Sequence, residues 1–160
     1  IAGFGAAQSS CPDTVGARFA DDDPGVAHAI ESAIRNAGLA PADIDAIVPF
    51  GSGIQAMDDA DRRAMNIVFG DRLPSIPLML PIPFFGCCGA GTGAIAIAMA
   101  AKAIESQRLP ARVNDGETEG LDATAAPSRE ANLNAVVVFT TSLGGQTAAV
   151  VLTRLGEDDS

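Results

Sequence analysis

PSIPLMLPIPFFGCCGAGTGAIAIAMAAKAI, residues 74–104, is the stretch whose reading decides the fold. Ile76–Leu80 is a short apolar run that reads as a strand. Gly89-Ala-Gly-Thr-Gly93 then opens a helix from Ala94 to about Ser106. That helix is apolar nearly all round, so it belongs inside a protein, and its small side chains let neighbours approach closely. The prolines before it and its wealth of Gly and Ala favour a buried helix over a membrane span.

Working outward, the same alternation of strand and helix recurs on both sides. Upstream, Ala46–Phe50 is a second apolar run, closed by Gly51-Ser-Gly53 and led into by the polar turn Pro41–Asp45. Before it, Asp21-Asp-Asp-Pro24 marks a helix start, Val26, Ile30, Ala33, Ile34 and Ala37 recur at helical spacing, and Gly38 stops the helix. Between the two runs, Asp58–Phe69 alternates charged and apolar residues as an amphipathic helix ending at Gly70. Ile1–Ala7 reads as the middle of a buried strand with no initiator Met, so the expectation is a fragment or a processed piece. Downstream, residues 110–132 have no period and predict a long surface connection. Asn134–Thr141 and Thr147–Leu155, separated by Ser142-Leu-Gly-Gly-Gln146, predict an antiparallel hairpin. The order βαβαβαββ places the chain in the α/β class.

With 160 residues and 48% hydrophobic content, the chain can bury one core, as a single domain or half of a larger one. Seven Phe and no Trp or Tyr leave the packing to Ala, Ile, Val and Leu. The net charge of −10 opposes nucleic acid and anionic membrane surfaces, unless a local patch of Arg62, Arg63, Arg72, Arg108 and Arg112 overrides the mean. Cys11, Cys87 and Cys88 make no even framework, and the adjacent pair suits neither an ordinary bridge nor a CxxC metal site. A reducing cytoplasm is the expected location, and the opening residues lack the pattern of a secretory signal.

Few side chains invite a chemical reading. Cys87 and Cys88 precede a helix N-terminus, where the dipole favours a thiolate nucleophile; the flanking Phe84 and Phe85 point instead to two buried small residues. Gly86–Gly93 lacks the Lys-Ser/Thr of a P-loop and the spacing of a dinucleotide fingerprint, which leaves close helix packing as the reason for its glycines. His28 is the only histidine and reads as a surface side chain. No metal site and no cofactor is expected. Asp58 and Asp61, as paired carboxylates at a helix start, read as capping and dipole stabilisation. Asp21–Asp23 and Glu157–Asp159 read as solvated charge runs.

Taken together, three segments resemble the C-terminal half of a β-ketoacyl synthase, a condensing enzyme of the thiolase fold. AGLAPADIDAIVPFGSGIQAMDDADRRAMNIVFGD, residues 37–71, is similar to the family's strand ending in a His-Gly-Thr-Gly-Thr turn before an Asp-Pro-x-Glu helix start. Gly51, Gly53, Asp58, Phe69 and Gly70 fall in step. Residues 74–104 resemble the strand, lysine loop, Gly-His step and glycine-alanine helix, with Gly86, Gly93, Ala94 and Ile95 in register. VVVFTTSLGGQTAAVVLTRL, residues 136–155, resembles the closing hairpin whose glycine loop lines the acyl pocket, with Gly144 and Gly145 matching; RLPARVN, with Pro110 and Asn114, also resembles the family.

The departures bear on function. Phe50 stands where the resemblance puts the first catalytic histidine, Ile82 where it puts the lysine and Cys87 where it puts the second histidine; Leu143 replaces a gating phenylalanine and Thr147 an asparagine. Decarboxylative condensation develops negative charge on a thioester oxygen that fixed donors must meet, and losing one such donor costs on the order of 10²–10³ in rate. No catalytic residue is therefore intact on this chain. The implied substrate pocket comprises Phe50, Gly51, Ser52, Cys87, Leu143, Gly144 and Gly145.

The resemblance implies a thiolase-like fold over residues 1–160, C-terminal half, with a mixed five-stranded sheet and a buried Ala-rich helix. It implies as partners the N-terminal half of the same fold, a homodimer or a heterodimer with a ketosynthase, and an acyl carrier protein. The leading expectation is a chain-length-factor-like subunit in fatty-acid or polyketide assembly. The alternative is an acyltransferase or thioester hydrolase using a cysteine on the N-terminal half.

Overall fold

The structure, a computed structural model, describes residues 1–113, 118 and 120–156. Its elements in chain order are β1 (Gly3–Gln8), α1 (Gly25–Asn36), β2 (Ala46–Val48), α2 (Gln55–Phe69), α3 (Ile82–Phe85), α4 (Thr92–Ser106), β3 (Arg108–Leu109), β4 (Arg129–Glu130), β5 (Ala135–Thr141) and β6 (Gln146–Thr153). Four strands form one sheet in the order β1-β6-β5-β2. β6 runs antiparallel to both of its neighbours, β1 and β5, whereas β2 runs parallel to β5, with Val48 opposite Val138.

The expected fifth strand, Ile76–Leu80, is reduced to a single parallel bridge between Leu78 and Ile47. Two hydrogen bonds hold it: the Ile47 amide donates to the Pro77 carbonyl at 3.1 Å, and the Met79 amide donates to the Ile47 carbonyl at 2.8 Å. Pro74, Pro77 and Pro81 bring no amide hydrogen, so the ladder cannot lengthen in either direction. β1 also differs from expectation. It is an edge strand with alternating burial, Gly3 and Gly5 inward and Phe4 outward, because only β6 pairs with it.

Each face of the sheet carries a helical layer and its own core. On one face, α1 and α2 pack Val26, Ile30, Ile34, Met57 and Met65 against Val137, Phe139 and Val151. Gly3 and Gly5 allow α1 to lie against β1: a Cβ at Gly5 would stand 2.1 Å from the Ala29 carbonyl oxygen. On the other face, Ala96, Ala100, Ala103 and Ile104 of α4 meet Val48, Val136, Val138 and Leu152. α4 is thus covered along one stripe, while Ala94, Ala98 and Ala101 are exposed. The all-round apolar helix is half buried by this chain, in keeping with a second layer expected on its outer side.

The connection from 110 to 132 is not featureless. β3 pairs antiparallel with β4, and Arg112 bridges Ala126. The Arg112 side chain is buried, with Nη2 donating to Asp122 Oδ1 at 2.7 Å, while Arg129 holds Oδ2 at 2.8 Å. Despite its desolvation, the two guanidiniums hold the Asp122 carboxyl below its ordinary range. Arg72 likewise donates to the Pro41 and Ile44 carbonyls. The imagined basic patch is therefore broken up, with Arg112 inside and Arg72 engaged in a turn. Asn114 and Glu157–Asp159 lie outside the described residues.

Candidate functional site

Strand direction gathers the site at one end of the sheet. β2 and β5 are parallel, so the residues after β2 and the turn after β5 emerge together, and the Leu78 bridge sends Pro81 and Ile82 the same way. β1 runs with β5, and its exit joins them: the Ser9 amide donates to Gly145 and the Gly144 amide to Gly16. α4 begins there too, since a Cβ at Gly93 would touch Thr140 Cγ2 at 3.4 Å. This carboxyl end of the parallel strands is where open α/β sheets place ligands.

The hairpin turn is held from both sides. Gly144 and Gly145 have φ of 98° and 86°, values that side chains rarely adopt. Gln8 Nε2 donates to the Gly144 carbonyl at 2.6 Å, and a Cβ on Gly145 would lie 2.6 Å from the Ser9 carbonyl oxygen and 2.8 Å from Cys11 Sγ. Burial, together with Asp13 and Asp23, pushes the Cys11 thiol up, so it stays protonated. Leu143, at the tip, is exposed, whereas Thr147 is buried with its hydroxyl unpartnered among the described residues.

Phe50 is half-buried and packs against the α1/α2 core, leaving Gly51, Ser52 and Gly53 to form the turn. Two aspartates of α2 hold that turn. Asp58 accepts from Ser52 Oγ at 3.1 Å and from the Gly53 amide at 3.0 Å, and Asp61 Oδ2 accepts from the Gly51 amide at 3.1 Å. The helix starts at Gln55 with no side-chain cap at Ile54, so Asp58 falls in its first turn, where the dipole favours a carboxylate, and Asp61 lies about a turn further in. Asp61, expected as a capping or dipole-stabilising carboxylate, is only 2% exposed, and its Oδ1 has no partner among the described residues. Desolvation, opposed by the Gly51 amide and reinforced by Asp58, pushes its carboxyl up to about 7. Desolvation also raises Asp58.

Cys87 and Cys88 contradict the expectation of burial: both are exposed. Gly86 and Gly89, at φ of 71° and 57°, turn residues 86–91 away from the core, and Phe84 and Phe85 are exposed beside them. Thr92 Oγ1 accepts from the Cys88 amide at 2.9 Å and lies 3.9 Å from Cys87 Sγ. Ile82, the first residue of α3, is half-buried. Phe50, Ile82, Cys87 and the hairpin turn therefore share one end of the sheet, with Cys87 and Leu143 exposed there.

A cavity of about 270 Å³ lies on the α2 side of this end, walled by Gly51, Gly53, Asp58, Asp61, Met65 and Leu80 among others. Of the predicted pocket residues only Gly51 borders it. Sequence reasoning missed this feature because Asp61 sits in a charged run whose burial depends on what closes over α2. Among the described residues, no helix is long and apolar enough to cross a membrane.

The family model described as "Beta-ketoacyl synthase, C-terminal domain" matches residues 2–115. The granaticin polyketide putative beta-ketoacyl synthase 2 of Streptomyces violaceoruber is 33% identical over 84% of this chain and 33% of its own length. The tetracenomycin polyketide synthase ketoacyl synthase beta subunit of Streptomyces glaucescens is 30% identical over 82% of this chain and 32% of its own. The chain thus spans about a third of the length of the curated relatives it matches. Among solved structures, the ishigamide ketosynthase/chain length factor superposes with a TM-score of 0.85 at 24% identity, covering 98% of this chain and 38% of that one. That likeness extends the thiolase-type fold through the hairpin, beyond the span of the family model.

Proposed function

This chain belongs to the β-ketoacyl synthase family, and on that premise we propose that it forms part of a chain-length-factor-type subunit, non-catalytic in condensation, that partners an active ketosynthase in polyketide or fatty-acid assembly. The observation carrying the proposal is chemical. At the end of the sheet where a condensing enzyme needs hydrogen-bond donors, this chain presents a phenylalanine ring turned into its own core, an isoleucine and a thiol.

A thioester enolate forming beside Phe50 and Ile82 finds no fixed donor from either side chain, and each lost donor of this kind costs on the order of 10²–10³ in rate. The residues keep a different capacity. Leu143 at the exposed tip and the Gly144-Gly145 turn form an apolar, rigidly held wall, suited to shaping an acyl channel. The exposed stripe of α4 awaits the N-terminal half of the fold, and the acyl chain arrives on a carrier protein. We assign the protein to the cytoplasm.

The test uses the intact protein, alone and co-expressed with a complete ketosynthase. The expected result is co-purification as a heterodimer, no malonyl decarboxylation by the protein alone, and an altered product length when Leu143 is enlarged to Phe. Decarboxylation of malonyl thioester by the protein alone would overturn the proposal. Acyl transfer or thioester hydrolysis without the partner would replace it with an enzyme working through a cysteine elsewhere in the fold.

A further inference from the structure

We infer that Cys87 and Cys88 form a dithiol site that captures a trivalent arylarsenical, each sulfur supplying one bond to arsenic and the rings of Phe84 and Phe85 meeting the aryl group. The inference goes beyond the proposed function: it needs neither an acyl chain nor a ketosynthase, and its failure leaves that proposal standing.

Cysteine is among the residue types most often buried, so two neighbouring thiols, both free and both exposed, need a reason. Packing supplies none. Gly86 and Gly89 bracket the pair at φ of 71° and 57°, and a Cβ on either would meet nothing within 4 Å, so the segment stands clear of the core and has room to adjust. It is pinned at Thr92, buried at the start of α4, whose Oγ1 accepts from the Cys88 amide at 2.9 Å. The sulfurs themselves are lightly held. Cys87 Sγ lies 3.9 Å from Thr92 Oγ1, and Cys88 Sγ lies 3.7 Å and 3.8 Å from the Phe85 and Gly86 carbonyl oxygens. As exposed side chains, both can turn about χ1 to bring sulfur to the same side.

Covalent geometry selects the ligand. Neighbouring Cα atoms stand ~3.8 Å apart, short of the ~4.4–6.8 Å that an ordinary disulfide spans, so the two thiols are poorly placed to oxidise to each other. Arsenic inserted between them enlarges the ring by an atom, and its pyramidal trivalent form holds two sulfurs close together on one side. A zinc site would need a tetrahedral ligand set, and no group of three His, Cys, Asp or Glu converges among the described residues. Arsenic that carries an aryl group asks for the two thiols alone. Its third position is filled by the ring, to which Phe84 and Phe85, 47% and 60% exposed with centroids 6.5 Å apart and planes inclined at 52°, offer an apolar neighbour. Capture of an arsenoxide balances without a redox partner. Two sulfur–arsenic bonds form, the arsenic–oxygen double bond and both S–H bonds break, and the two protons leave with the oxygen as water while arsenic stays trivalent.

The probe is phenylarsine oxide, added to the intact protein after reduction and removal of the reductant, and read by intact mass and by mapping of the adduct after proteolysis. The expected result is a phenylarsenic group bridging Cys87 and Cys88, retained in excess β-mercaptoethanol and stripped by dimercaptopropanol, whose paired thiols compete as a chelate. Cys87→Ser and Cys88→Ser should each weaken retention by on the order of 10²-fold or more, because the second bond to arsenic no longer closes within the chain. Cys11→Ser should leave retention unchanged, since that thiol packs against Gly145 instead. No adduct on the reduced protein, an adduct found only elsewhere, one that β-mercaptoethanol strips as readily as dimercaptopropanol does, full retention in either single variant of the pair, or loss in Cys11→Ser would each overturn the inference. The mass, mapping and competition arms use the unmodified protein, so they decide the matter whatever the variants do to folding.

Discussion

Raising the pH from 5 to 8 should loosen the turn that follows β2, because the carboxyl holding it must ionise while buried. Asp61 titrates at about 7 in the folded chain against an ordinary value of 3.8. The folded state therefore binds a proton that the unfolded state has already released between those values. Stability from this group is fully present below about pH 4 and is lost as pH rises through 7. Between pH 5 and 7 the loss amounts to about 3 kcal/mol, and burial at 2% exposure leaves solvent little room to reduce it. The local reporter is the Gly51 amide, which donates to Asp61 Oδ2 at 3.1 Å. Hydrogen exchange over residues 49–54 of the intact protein, corrected for intrinsic base catalysis, should show protection falling by orders of magnitude between pH 5 and 8. Asp61→Asn, which imitates the protonated acid, should flatten the profile and exceed the unmodified protein in protection at pH 8. An unchanged slope in that variant, or protection that rises with pH, would refute the reasoning.

Other perturbations test the packing. Gly145→Ala combines a φ of 86° with a Cβ 2.6 Å from the Ser9 carbonyl oxygen, so strain and overpacking together should cost about 3 kcal/mol in denaturant unfolding. Gly5→Ala forces α1 away from β1 and should cost about 3 kcal/mol by the same measurement, whereas Gly38→Ala meets no atom within 4 Å and should cost only the ~1–2 kcal/mol of its backbone conformation. Arg112→Met leaves Asp122 to Arg129 alone, and removing one member of a buried ionic cluster should cost about 3 kcal/mol at neutral pH. That loss should shrink as pH falls through the lowered Asp122 pKa, since the native advantage of the ionised carboxyl disappears there.

Local chemistry made most of the elements legible. Hydrophobic period located α1, α2 and α4 to within a few residues, with Gly38, Gly70 and the 89–93 turn marking their limits, and the Ser142–Gln146 turn located the β5–β6 hairpin. Period and punctuation are properties of neighbouring residues, so they survive without knowledge of the fold. The prolines around Ile76–Leu80 were equally visible, but their effect was not. Whether three missing amides shorten a strand depends on which neighbour it must pair with.

What the amino-acid order determined alone, then, was the succession of strands and helices and the family pattern; that Phe50, Ile82 and Cys87 stand at the family's donor positions is what the resemblance implies. Tertiary structure decided which side chains are dry. Asp61 and Asp58 lie in one charged run, yet closure of the sheet end and α2 over one oxygen makes Asp61 a buried acid. Cys87 and Cys88 follow two phenylalanines, yet two left-handed glycines turn them outward. Burial depends on what packs across from a residue, often a segment many positions away, and no local pattern carries that information.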